Sequence, residues 1–320
     1  MKAKTDRKFV AGVMLMGKKQ ERFLPACLAS IADAVDLLVV NENSCQAENN
    51  NLSALKDSAL YRQGKVKIIP SEFKGFGYCR NLCLDYLRAN PVPGMWVLIV
   101  DCDEVHAPGF TVLTRKILPN LPPHIGIVDG YFRHFVLSGR YYVSLDRRHN
   151  MLFSFNKDIC WEGSVHEKLV NIRGARIGLP YRYFHYGYLA PLGDLMKRWE
   201  LYGSLGDATS ADHTVYPNAI LESDAARAMR FKGWHPGYAL RLLQTYEDEN
   251  REAVRHFEEM VNAHNPGRSK MLLKDLNYEI RMAWRGLQFM GRFPLDAELC
   301  RGLLDMTGDQ LSLRHNSTGT

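Results

Sequence analysis

Three short and almost continuously apolar segments most constrain the fold of this chain. They are residues 9–16, 35–40 and 96–100, and the second contains one charged residue, Asp36. A strand that is apolar at every position is typical of a parallel sheet that is covered by helices on both faces. Between the first two segments, Phe23 and Cys27 recur at helical spacing, which predicts a βαβ unit. The chain is therefore predicted to begin as an α/β domain with a mostly parallel sheet.

Composition excludes several other classes of protein. The chain has 320 residues, of which 46% are hydrophobic and 24% charged, which is typical of a globular protein. No apolar segment approaches the roughly 18 residues needed to span a bilayer, and no secretory signal is recognised at the start. Seven cysteines without a CxxC pair indicate reduced thiols, so a cytoplasmic location is expected.

The net charge of +6 suits an acidic partner such as a nucleotide, a phosphate or an anionic lipid surface. The basic residues are scattered, so nucleic acid is not an expected partner.

Patterning along the chain predicts three parts. The α/β domain is assigned to residues 1–215, and within it residues 130–188 are rich in aromatic residues and in strand patterns. Apolar residues at helical spacing predict a helical region over residues 216–310. Residues 311–320 are expected to form a disordered tail.

The sequence DCDE at residues 101–104 follows the strand at residues 96–100 directly. Its three carboxylates would repel one another unless a cation compensates, so Mg²⁺ or Mn²⁺ is a natural ligand. An acidic loop that caps the next helix is the alternative. The second strand ends in NENS at residues 41–44. Since ligands of an α/β sheet bind beyond the carboxyl ends of its strands, we expect the site to lie across these two segments.

Six motifs in order resemble those of the family 2 glycosyltransferases, which have the GT-A fold. The last two are similar to a subgroup that includes bacterial lipopolysaccharide-core glucosyltransferases. The motifs are KKQERFLPACLASI at 18–31, NENS at 41–44, FGYCRN at 76–81, DCDE at 101–104, WEGSVHE at 161–167 and HYGY at 185–188.

This resemblance implies a Rossmann-like nucleotide-sugar-binding domain and a metal-dependent inverting transfer from a UDP-sugar. The implied acceptor is a cell-surface glycan, a lipopolysaccharide core, a lipid-linked molecule or a protein. It implies that Asp103 binds the metal and that Asp101 contacts the ribose or a metal-bound water. Asn41 and Ser44 are the corresponding nucleotide-binding candidates.

Several roles stay open. Glu167 is the first candidate for the general base, with His166 or Glu162 as alternatives. His185 either completes the metal shell or is a core histidine. Arg80 either binds the diphosphate or forms a salt bridge.

Four aromatic side chains are candidates for stacking on sugars or for the core. They are Tyr131, Tyr141, Tyr142 and Trp161.

Other functions fit less well. His166 and Glu167 begin a zinc-hydrolase pattern, but Val170 occupies the position of its second histidine. No GxGxxG follows the first strand, which argues against dinucleotide binding. A catalytically inactive module that binds nucleotide-sugars or glycans stays an alternative. The basic charge and the helical region would also suit peripheral contact with a membrane.

Overall fold

The structure is a computed structural model of the chain, and it describes residues 7–46, 49–107, 109–143 and 148–264. The predicted tail at 311–320 and the second part of the predicted helical region, residues 265–310, lie outside the described residues.

Twelve strands are present in the described part of the chain. They are β1 (Val10–Met16), β2 (Leu37–Glu42), β3 (Val66–Pro70), β4 (Trp96–Val100), β5 (Glu104–His106), β6 (Ile125–Val136), β7 (Ser138–Val143), β8 (Arg148–Ser154), β9 (Cys160–Glu162), β10 (Lys168–Val170), β11 (Ala175–Tyr188) and β12 (Ala228–Arg230).

Helices alternate with these strands and follow them. They are α1 (Leu24–Ile31), α2 (Asn50–Lys56), α3 (Ala59–Arg62), α4 (Phe76–Ala89), α5 (Phe110–Val112), α6 (Leu192–Ser204), α7 (Ala208–Val215), α8 (Pro217–Arg227), α9 (Gly237–Glu249) and α10 (Arg251–Ala263).

One large sheet forms the centre of the fold, and its first half is parallel. The order β3-β2-β1-β4 is parallel throughout. Beyond β4 the sheet becomes mixed: β8 is antiparallel to β4 and β6, whereas β11 is parallel to β6 and antiparallel to β5. The predicted α/β class, with a parallel sheet followed by a helical region, is confirmed.

Burial on both faces explains the continuously apolar strands. On β1, Val10 and Met14 pack into the apolar cluster that contains α1, whereas Ala11 and Val13 pack into the cluster on the α4 side. Alternate residues of a strand face opposite sides of a sheet, so a strand between two helical layers is apolar at every position.

The helical region packs against the sheet domain. Helix α9 contacts α1 and β7, and α10 contacts α8 and β7. One strand interrupts this region: β12 pairs antiparallel with β7 and extends the sheet edge. In the described ranges, no helix is both long and apolar enough to cross a membrane.

Candidate active site

A cavity of about 1010 Å³ lies beyond the carboxyl ends of β1 and β4. The segment after β1 and helix α6 both line this cavity. The turn before β10 contributes Val165, His166 and Glu167. The cavity therefore occupies the sheet edge at which an α/β protein binds its ligands.

Asp103 lies where several elements meet. Its backbone carbonyl accepts a hydrogen bond from the Tyr186 amide at 2.9 Å, which ties the end of β4 to β11. Its carboxylate lies 3.6 Å from His185 Nε2 on one side and 3.6 Å from Arg198 Nη2 on the other. The side chain is 15% exposed and lines the cavity. Asp103 therefore offers a carboxylate to a ligand without a short hydrogen bond to either of these neighbours.

His185 is held by a second histidine. Its Nδ1 lies 2.7 Å from His134 Nδ1, and the two rings stack with centroids 4.7 Å apart. One of the two Nδ1 atoms must carry the proton of this hydrogen bond. Burial lowers the pKa of His185 and outweighs the attraction of Asp103, so the imidazole is neutral near neutral pH. A neutral imidazole is the form that binds a metal.

Arg80 holds two carboxylates at once. From α4, its Nε donates to Glu167 Oε1 at 2.6 Å and its Nη2 donates to Asp101 Oδ1 at 2.8 Å. The side chain is 8% exposed, and its guanidinium lies 5.2 Å from the Trp161 ring centre. Burial lowers the pKa of Arg80, but the two carboxylates outweigh it and raise the pKa overall. The salt bridge that the sequence analysis considered is present, and contact of Arg80 with a diphosphate stays a prediction.

The turn at residues 163–167 places the side chains of Glu167 and His166 in different environments, one nearly buried and one exposed. Gly163 and His166 have positive φ angles of 102° and 51°, which only glycine adopts readily. The Glu167 side chain is 12% exposed and meets Arg80. The His166 side chain is 65% exposed, and its Nε2 lies 3.0 Å from Asp207 Oδ2. Both line the cavity, whereas Glu162 is exposed and does not.

Asn41 and Ser44 lie behind the cavity wall. Both are fully buried. Asn41 donates to Ser71 Oγ at 2.9 Å and accepts from Asn43 at 3.2 Å. Ser44 Oγ accepts from Asn49 Nδ2 at 3.0 Å. Of this turn, Asn43 lines the cavity. Contact of Asn41 and Ser44 with a nucleotide stays a prediction.

Of the three predicted carboxylates after β4, two line the cavity. Asp101 and Asp103 do so, whereas Glu104 begins β5 and is 3% exposed. Burial, reinforced by the charges of Asp101 and Asp103, raises the pKa of Glu104 well above its usual range. Glu104 therefore belongs to the core, where burial favours its neutral form. Among the aromatic candidates, Trp161 lines the cavity and Tyr131 and Tyr142 are buried.

Helix α6 supplies cavity residues that the sequence analysis did not identify. Its lining residues are Asp194, Lys197, Arg198, Leu201 and Tyr202. Their spacing of 3, 1, 3 and 1 places them on one helical face. That periodicity was present in the sequence, but a polar helical face is usually solvated.

The donor set can accommodate a divalent cation only in part. Within the described ranges, no group of three or more histidine, cysteine or acidic side chains is arranged to hold a metal ion. Asp103 and His185 nevertheless provide two adjacent donors. Mg²⁺ is commonly held by one or two carboxylates, substrate phosphates and waters. Two protein side chains therefore fit a cation that shares its shell with a diphosphate.

Comparison with known proteins gave matches among solved structures only. No family model matches the chain, and no curated protein matches it. TarS 1-349 of S. aureus in complex with UDP-GlcNAc is 18% identical, with a TM-score of 0.31, over 41% of this chain and 36% of that chain.

Two further solved structures align with the chain. Glucosyl-3-phosphoglycerate synthase from Mycobacterium tuberculosis, with Mn²⁺, UDP and its product, is 16% identical with a TM-score of 0.28, over 39% of this chain and 44% of that chain. TarS 1-349 without a named ligand aligns over 81% of this chain and 92% of that chain, at 11% identity and a TM-score of 0.34. At such similarity the function has to be argued from the site itself.

Proposed function

We propose that this chain is a metal-dependent inverting glycosyltransferase of the GT-A type. It would move a sugar from a nucleotide diphosphate, UDP in the first instance, to a glycan, lipopolysaccharide-core, lipid-linked or protein acceptor. One observation carries the proposal: a single cavity contains two donors for a hard cation, Asp103 and His185, and a carboxylate that can accept a proton, Glu167.

The donor side of the proposed site is built on β4 and β11. Asp103 and His185 would hold Mn²⁺ or Mg²⁺, which when bound polarises the phosphoryl oxygens of the leaving group. Asp101 is paired with Arg80 at 2.8 Å and would accept hydrogen bonds from ribose hydroxyls. In this assignment the two carboxylates after β4 that line the cavity have separate roles: Asp103 would bind the metal and Asp101 the ribose.

The acceptor side is built on the turn at residues 163–167. In an inverting transfer, the acceptor oxygen forms a bond to the sugar carbon while the bond from that carbon to the diphosphate oxygen breaks. The departing diphosphate keeps the electron pair, and Glu167 takes the proton of the acceptor hydroxyl. Arg80 occupies Oε1 of Glu167, so Oε2 is the atom that we assign to this proton.

Two alternatives for the base are distinguished by position. His166 lines the cavity but is turned toward Asp207, so it suits acceptor contact better than proton transfer. Glu162 lies on β9 outside the cavity lining. We further propose that the chain works at the cytoplasmic face of a membrane, with peripheral contact, and has no nucleic-acid partner.

A second candidate function is a nucleotide-sugar or glycan-binding module without turnover. The ion pair of Glu167 with Arg80, at 2.6 Å, favours it, because one carboxylate oxygen of the candidate base is already occupied by a donor of the protein. The two functions make the same prediction for ligand binding and opposite predictions for catalysis.

The test is a panel of nucleotide-sugars with candidate acceptors, with and without Mn²⁺, in which nucleotide release is measured for the wild type and Asp103→Ala. We expect Mn²⁺-dependent release from one donor and a loss of about 10³-fold or more in the variant, since metal-bound charge stabilisation contributes several kcal/mol. Binding of a nucleotide-sugar without release from any donor would favour the binding module. A wild type that binds no nucleotide-sugar would overturn both functions.

A further inference from the structure

The Arg198 side chain lines the cavity from α6, and no acceptor among the described residues lies at hydrogen-bond distance from its guanidinium. We propose that Arg198 is a catalytic residue that binds the leaving diphosphate beside Asp103, an inference that rests on the proposed function. The sequence motifs do not include α6, so this assignment adds a residue of α6 to the donor side of the site.

The first step is the deficit of partners. Arg198 is 11% exposed, and a guanidinium has five N–H donors in a planar fork. Its nearest carboxylate, Asp103, lies 3.6 Å away, which is too long for a hydrogen bond. Within the described residues no hydrogen bond from the guanidinium is observed. The Tyr188 ring lies 5.5 Å from the guanidinium carbon, and the charge of Glu21 also acts on Arg198. The N–H groups of Arg198 therefore line the cavity without a protein acceptor among the described residues, and they are available to a ligand that supplies acceptors.

The second step is the chemistry of the missing ligand. Burial lowers the pKa of Arg198, but the combined charges of its neighbours, Asp103 first, outweigh burial and raise the pKa overall, so the side chain stays a cation. A planar cation with parallel N–H groups matches an oxyanion with two or more acceptor oxygens. A diphosphate that shares a cation with Asp103 would bring such oxygens next to Arg198. The same contact would strengthen as negative charge builds up on the departing diphosphate.

The third step is that the backbone leaves room for this arrangement. A Cβ atom at Gly187 would lie 2.3 Å from Asp103 Oδ2, 2.9 Å from His185 Cε1 and 3.0 Å from Arg198 Nη1. The three side chains therefore converge on one residue that has no side chain. A glycine is required here for close approach, and any other residue would force Asp103 and Arg198 apart.

The experiment measures binding, by calorimetry, of two probes: UDP and inorganic pyrophosphate. Both are titrated in EDTA and in Mn²⁺ against the wild type, Arg198→Met and Arg198→Lys. The methionine variant keeps the length and removes the charge, and the lysine variant keeps the charge and removes the fork. Arg255→Met is the matched control, because Arg255 is exposed on α10 and pairs only loosely with Glu259, at 3.9 Å. Unchanged melting temperatures would show that the variants are folded.

We expect Arg198→Met to weaken both probes by about 10- to 100-fold, the usual range for a lost charge-assisted hydrogen bond. Arg198→Lys should lie between it and the wild type, and Arg255→Met should bind within about twofold of the wild type. If both probes bind every variant equally well, the assignment of Arg198 is overturned while the proposed function stands.

The other outcomes separate the two proposals. Arg198-dependent binding of pyrophosphate without binding of UDP would support the anion site and count against a uridine nucleotide as donor. If the wild type binds neither probe in either condition, both proposals are overturned. Because a destabilised Arg198→Met would obscure the result, Gly187→Ala provides a second variant: the added methyl should weaken both probes by displacing Arg198 and Asp103, and unchanged binding there would contradict the proposed convergence.

Discussion

Polar residues follow both β2 and β4, but the hydrogen-bond and ion-pair partners of these residues come from different parts of the chain. At the end of β2, Asn43 donates to Asn41 and Ser44 accepts from Asn49; all three residues are buried, and of them Asn43 lines the cavity. At the end of β4, Asp101 and Asp103 face a cavity. A polar turn that satisfies its own groups stabilises the fold, whereas one that faces open space can accept a ligand.

The partners of the β4 end come from distant parts of the chain. Arg80 lies on α4, His185 on β11 and Arg198 on α6. The ion pairs of Asp103 are long, at 3.6 Å on both sides. Long contacts leave the carboxylate able to exchange a protein neighbour for a cation or a donor on a ligand, which the closed network at β2 does not allow.

The largest expected effect tests which carboxylate is the general base. Glu167→Gln keeps the shape and an oxygen for Arg80 but cannot take a proton, so we expect turnover to fall by about 10²- to 10⁴-fold with UDP binding retained. Glu162→Gln is the matched control, because Glu162 is exposed outside the cavity lining, and should stay within about twofold of the wild type. Both are measured as nucleotide release with the donor found by the panel. A fall in the Glu162 variant alone would reassign the base.

The next largest expected effect is on stability, and it concerns His235, whose two ring nitrogens both form hydrogen bonds within the protein. Its Nε2 donates to the Gly139 carbonyl at 2.8 Å, and its Nδ1 accepts from the Tyr186 hydroxyl at 2.8 Å. Burial lowers the pKa of His235 to about 4. The unfolded chain, with a pKa near 6.5, binds this proton first, so acidification from about pH 6.5 to pH 4 destabilises the folded state.

The expected contribution of His235 is about 1.4 kcal/mol per pH unit, or about 3 kcal/mol in all. Denaturant unfolding of the wild type and His235→Gln between pH 4 and 7 would measure it. The stability advantage of the wild type over the variant should shrink as the pH falls. His256→Gln, at an exposed position on α10, should retain the wild-type slope. An unchanged slope in His235→Gln would show that His235 does not titrate this way.

Patterns along single segments predicted the framework correctly. The apolar strands, the helix at α4 and the position of DCDE after β4 each follow from local periodicity and from the rule that ligands bind at strand ends. The pairing of Arg80 with Glu167 joins residues 87 positions apart, and no local pattern specifies it.

Two site features depended on the path of the chain after β4. Glu104 turns into the core because β5 pairs antiparallel with β11, opposite His185. That pairing also returns the chain so that α6 brings Arg198 to the cavity. Both features follow from a strand reversal that the acidic motif alone does not predict. The sequence analysis therefore counted Glu104 among the carboxylates of the candidate cation site and did not identify Arg198.

The smallest expected effect tests the role of the polar residues at the end of β2. Asn41→Ala removes the acceptor of Asn43 and the donor to Ser71 Oγ, so we expect a loss of about 1–3 kcal/mol in the free energy of unfolding. The dissociation constant of UDP should stay within about twofold of the wild type, because Asn41 does not line the cavity. Asn43→Ala is the counterpart, since Asn43 does line it, and here UDP binding should weaken as well.

The two asparagine variants together decide whether the comparison of strand ends holds. If Asn41→Ala weakens UDP binding while its unfolding free energy is unchanged, Asn41 reaches the nucleotide as the motif resemblance implies, and the β2 end is a second open end. If instead stability falls and binding is kept, the hydrogen bonds of Asn41 serve the turn. In that case the β2 end contributes to the site through Asn43, whose amide is held in place by the buried residue behind it.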